Sequence, residues 1–113
     1  MINIMALSAK EQSVLKEFKA SLRQVLGDQL IELKQFGSKA RGDDRPDSDI
    51  DVLVIVATED WHICDKVYEV ATDILLERDI CISPKVISKN QLEQLIKEDA
   101  FFVRNISRDA ITV

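Results

Sequence analysis

The chain has 113 residues, 46% of them apolar and 5% aromatic, with 15 Lys and Arg against 20 Asp and Glu for a formal charge of −5. This is the composition of one globular domain, residues 1–113, large enough to bury a core without staples. The longest apolar run, Val52 to Ala57, has six residues, far short of the ~18 of a membrane span, and the acidic balance argues against nucleic acid as a directly gripped ligand.

Met1 to Leu7 is apolar but short, with no basic leader or small-residue cleavage site, so it does not read as a signal peptide. Ser8 to Leu26 reads as a helix: Ser8 and Glu11 fit a capping box, and Val14, Leu15, Phe18, Leu22, Val25 and Leu26 form an apolar stripe. Gly27 is a natural stop. Gln29 to Phe36 alternates as a strand, with Leu30, Glu32, Lys34 and Phe36 on one side and Ile31, Leu33 and Gln35 on the other. Gly37 to Ser48 is irregular. Asp49 to Ala57 is a strand that becomes apolar on both faces, the pattern of a central, doubly covered element.

Glu59 to Arg78 reads as a second long helix. On it, His62 falls at the first turn in a surface or capping role, and Trp61 and Tyr68 read as packing residues. Asp79 to Ile87 is a third strand whose Pro84 marks an edge or a bulge. Ser88 and Gln91 offer another capping box ahead of a helix from Asn90 to Glu98. Phe101 to Ile106 reads as a short helix, its phenylalanines closing the core or an interface. Arg104 and Arg108 read as solvated, and Ile111 to Val113 as a small strand. Cys64 and Cys81 are too few for a disulfide framework and read as small buried hydrophobes in a reducing, cytoplasmic setting. The order α-β-turn-β-α-β-α predicts an α/β (α+β) sandwich, a small sheet flanked by helices.

The chemistry concentrates in Gly37-Ser38, ten residues, then Asp49-Ile50-Asp51. Period two along a strand sets both carboxylates on one face, about 7 Å apart. Held that close, they repel unless a cation sits between them, and a hard divalent ion such as Mg²⁺ prefers such oxygen ligands. Gly37 allows close backbone approach, and N–H groups entering a helical turn beside the Ser38 hydroxyl suit phosphate oxygens. Lys39 and Arg41 add positive charge. Gly-Ser alone is a turn, and five acids between Asp43 and Asp51 read alone as a solvated loop. The spaced quartet, however, arises by chance roughly once in 10⁵ positions.

The string GSKARGDDRPDSDIDVLV resembles the signature of the DNA polymerase β-like nucleotidyltransferase superfamily, and in particular its stand-alone minimal (MNT) branch. The resemblance covers nearly the whole chain. It implies a polymerase β-like fold with a mixed sheet. It implies that Gly37 and Ser38, with Lys39 and Arg41 beside them, hold the triphosphate of ATP, and that Asp49 and Asp51 bind two Mg²⁺ ions. Relatives of this kind place a third carboxylate on the next strand. Here that strand has one acid, Asp79, open to two readings: third ligand, sharing a face with Cys81 and Ser83, or solvated strand-start residue.

The resemblance also implies a partner, since MNT proteins pair with HEPN-domain toxins and neutralise them by moving AMP onto a tyrosine. The shortness of the chain points the same way, because little of it remains to build an acceptor pocket. Two other functions compete: transfer to a small molecule such as an aminoglycoside, and a non-catalytic antitoxin that acts by occupancy.

Overall fold

The computed structural model describes residues 8–36, 49–98 and 111–113. The first helix, α1 (Ala9–Leu26), starts at the expected capping box: the Glu11 N–H donates to Ser8 Oγ at 3.1 Å and the Ser8 N–H to Glu11 Oε1 at 3.0 Å. It buries Val14, Leu15, Phe18, Leu22 and Leu26, while Val25 at the stripe's margin is exposed. Gly27 ends it at φ +56°, a backbone that residues with a Cβ rarely adopt, and leads through a 3₁₀ turn to Gln29.

Strand β1 (Leu30–Phe36) pairs antiparallel with β2 (Ile50–Val56), and β2 pairs parallel with β3 (Ile82–Ser88). A two-residue β4 (Ile111–Thr112) lies antiparallel on the other side of β1, giving the order β3-β2-β1-β4. Between the parallel strands runs α2 (Trp61–Arg78), and after β3 comes α3 (Lys89–Lys97). On β2, Ile50, Val52, Val54 and Val56 pack with α1 and α2, whereas Leu53 and Ile55 pack with Ile87, Phe36 and Leu92 and Leu95 of α3. The doubly covered strand expected from its sequence is therefore the centre of the molecule.

Several boundaries and placements depart from the sequence reading. The simple alternation of β1 fails at a bulge: Leu30 pairs with Val56 but Glu32 with Ile55. The extra residue, Ile31, reverses the phase, so Leu30 joins Leu33 and Gln35 in the core. Helix α2 begins at Trp61 rather than Glu59 because Asp60 caps it, accepting the His62 N–H at 2.9 Å. That hydrogen bond, first, and then the His62 side chain hold the Asp60 carboxyl below its ordinary value of 3.8. The cap's ionic contribution is thus complete above pH 3.8 and lost as pH falls through the lowered value.

Asp79 does not open a strand; it closes α2 in the left-handed conformation (φ 57°, ψ 35°), its N–H donating to the Leu75 carbonyl at 3.0 Å. A short polar side chain tolerates that conformation better than most. Trp61 and Tyr68 are not packed in the core but exposed, Cys64 is half-buried and Cys81 exposed. Pro84 does lie on the edge strand, where its missing N–H breaks no ladder, and its carbonyl accepts the Tyr68 hydroxyl at 3.3 Å. Phe101, Phe102, Arg104, Arg108 and the expected short helix lie outside the described residues.

Gln35 is completely buried, and neither of its amide atoms has a hydrogen-bond partner among the described residues. A buried unpaired amide costs roughly 1–3 kcal/mol. Gln35→Met, an apolar change of similar length, is expected to raise the melting temperature by several degrees. Thermal denaturation followed by circular dichroism checks this; an unchanged or lower midpoint contradicts it.

Candidate active site

The site lies where β2 begins. Asp49 is exposed immediately before the strand, and Asp51 is half-buried two residues on. Period two puts both on the face that continues into Leu53 and Ile55, the face covered by α3. The start of β2 is fixed by the Ile50 N–H, which donates to the Cys81 carbonyl at 3.0 Å.

The two flanking strands determine what surrounds the carboxylates. On β1, Phe36 is the register partner of Asp51. Gly37 is bonded directly to Phe36, so the chain enters the Gly-Ser segment from beside Asp51. Gly37, Ser38, Lys39 and Arg41 themselves lie outside the described residues. On β3, the register partner of Asp51 is Ser83. Cys81 stands one step earlier, next to Asp49. Burial pushes the Cys81 thiol up from its ordinary value, reinforced by a hydrogen bond to Asp49 and by the Asp49 charge. The raised value keeps the thiol in its neutral form beside Asp49.

No acid lies on β3, whose sequence is ISPKVIS. Asp79 sits in the α2 cap, three residues ahead of the strand, so the predicted shared strand face with Cys81 and Ser83 does not exist. Asp49 and Asp51 thus stand at the start of β2, and Asp79 stands in the helix cap ahead of β3. The closeness of Cys81 to Asp49 depends on the β2–β3 register, which neither strand declares alone.

Two carboxylates beside a strand hydroxyl are oxygen donors of the kind a hard divalent cation takes. Among the described residues, no group of three or more His, Cys, Asp and Glu gathers into a metal site.

Residues 10–113 match the polymerase beta nucleotidyltransferase family model. Three relatives from Methanocaldococcus jannaschii are described as candidate protein adenylyltransferases. The first is 36% identical over 86 residues, spanning 75% of this chain and 87% of the relative. The second is 33% identical over 93 residues, 74% of this chain and 63% of the relative. The third is 33% identical over 96 residues, 85% and 90% of the two chains. A solved toxin–antitoxin structure with AMP-PNP shares the fold at a TM-score of 0.52 and 20% identity, over 86% of this chain and 70% of that one.

The Asp49→Asn, Asp51→Asn double variant keeps the size of both side chains and removes both charges. Mn²⁺ at about ten times its Kd should stabilise wild type by about 1.4 kcal/mol and the double variant not at all. Equal metal-induced shifts in both proteins would place the metal elsewhere.

Proposed function

This chain belongs to the polymerase beta nucleotidyltransferase family, and from that premise we propose that it is a protein adenylyltransferase acting as the antitoxin of a toxin–antitoxin pair. The acceptor we propose is a tyrosine hydroxyl of a HEPN-type toxin, and the donor is ATP. The observation that carries the reading is the placement of Asp49 and Asp51 on one face at the mouth of a buried strand, beside the residue that leads into Gly37-Ser38. It is supported by the descriptions of the curated relatives and by the toxin–antitoxin neighbour. No helix among the described residues is long and apolar enough to cross a membrane, and the proposed setting is the cytoplasm.

In the proposed reaction the acceptor hydroxyl attacks the α-phosphorus of ATP in line. A new O–P bond forms, the bond to the β-phosphate oxygen breaks, and pyrophosphate leaves. Gly37 and Ser38 would seat the triphosphate through backbone N–H groups and a hydroxyl, with Lys39 and Arg41 opposing its charge. Asp49 and Asp51 would hold two Mg²⁺ ions, which when bound supply charge stabilisation at the attacking and leaving oxygens. Positioning and electrostatics would provide most of the rate.

Activation of the acceptor is the part least provided for by this chain. Ser83, not an acid, faces Asp51 across β3. Asp79 is the one acid between the end of α2 and the end of β3, and it stands off the shared face. We therefore assign Asp79 a lesser part than the two β2 carboxylates. The same feature favours the second reading, a fold kept as a binding antitoxin that blocks its partner by occupancy.

Incubation with α-labelled ATP, Mg²⁺ and the neighbouring gene's product separates the readings. The proposal expects label on that protein, reduced at least about a hundredfold by Asp49→Asn or Asp51→Asn, on the scale of lost transition-state charge stabilisation, and reduced less by Asp79→Asn. Label on a small acceptor alone would indicate small-molecule transfer. If no label moves and the double variant still inhibits the partner, the protein acts by occupancy.

A further inference from the structure

Helix α2 buries a narrow stripe, Ile63, Val67, Ala71 and Ile74, and carries a second apolar row on its outer side. Trp61, Tyr68 and Leu75 recur every seven residues and, with the adjacent Leu76, are 66%, 51%, 41% and 78% exposed. At 100° per residue these four fall within about a third of the helix circumference and extend about 22 Å along it. The four lie on one side of the helix, with the exposed Thr72 and Asp65 between them.

Its two aromatic members are held in place. The Trp61 ring stacks on His62 with centroids 3.7 Å apart, and His62 Nδ1 lies 3.0 Å from Asp60 Oδ1. The Tyr68 hydroxyl donates to the Pro84 carbonyl on β3. Aromatic anchors fixed before binding lose little entropy on docking, the character of interface hot spots.

Alongside runs a row of acids, Asp65, Glu69, Asp73 and Glu77, at intervals of four. All four are exposed, and none makes an ion pair among the described residues. Like charges at this spacing destabilise a helix. Of the two cations on α2, Arg78 is turned toward Glu17 of α1, its Nε 3.3 Å from Oε2, which leaves Lys66. At the Trp61 end, a cleft of about 310 Å³ adds Glu59 and Asp60.

We propose that the outer face of α2 docks a basic amphipathic helix of a partner protein, its apolar stripe seated on Trp61, Tyr68, Leu75 and Leu76 and its Lys or Arg residues along the acidic row. The charge pattern selects this occupant. A second copy of the chain would set acid against acid, and an anionic lipid surface would be repelled. An added strand is disfavoured at the neighbouring edge, where Pro84 has no N–H and its carbonyl already accepts Tyr68. Because α2 connects parallel strands, Leu75 and Leu76 lie at the end of the sheet where Asp49 stands, on the opposite face. The inference does not rest on the transferase reading.

The test is calorimetric titration with a synthetic 21-residue helix bearing a heptad stripe of Leu flanked by Lys. Wild type should bind it, and the same peptide with Glu for Lys should not bind. Trp61→Ser with Leu76→Glu, or Leu76→Ser alone, should weaken binding at least tenfold with the circular dichroism spectrum unchanged. Glu69→Lys with Asp73→Lys should weaken it and flatten its salt dependence. The proposal is overturned if the Leu76 variants bind as wild type does, which leaves only non-specific charge attraction. It is equally overturned if the protein sediments as a dimer that Leu76→Glu dissociates, or if phosphatidylserine vesicles bind the face and the peptide does not.

Discussion

Everything in this molecule depends on β2 being buried on both faces. Its even-numbered residues from Ile50 to Val56 pack with α1 and α2, while Leu53 and Ile55 pack toward α3. Period two leaves no freedom once both faces are committed, since a slip of one residue would exchange the two sets. The same constraint fixes Asp49 and Asp51. They continue the alternation of Leu53 and Ile55 to the start of the strand, so strand packing sets where both carboxylates stand.

That placement makes the neighbouring strands part of the chemistry. The β1 register brings Phe36 opposite Asp51, and the β3 register brings Ser83 there from the other side. Among the described residues the candidate site has its acids at the start of one strand and the neutral Cys81 and Ser83 beside them on the next.

Much of this was legible in the sequence because the relevant signals are local. The capping boxes at Ser8 and Ser88, the unbroken apolar run of β2, the edge position of Pro84 and the Asp-x-Asp step each depend on a few adjacent residues. What escaped depends on contacts between segments. The bulge at Ile31 is visible only against β2, and Asp79 looks like a strand residue until Arg78 and Leu75 are seen to need a left-handed cap. Trp61 and Tyr68 read as core because large aromatics usually are. Their exposure follows from the narrow buried stripe of α2, which faces away from them.

The central claim is that Asp49 and Asp51 together hold the metal that goes with the nucleotide. A crystal grown with Mn²⁺ and a non-hydrolysable ATP analogue tests it directly, because manganese is located by its anomalous scattering. The account predicts anomalous peaks about 2.1 Å from carboxylate oxygens of both residues, with the analogue's phosphates completing the coordination. Manganese bound elsewhere, or a nucleotide seated with both carboxylates uncoordinated, would contradict it.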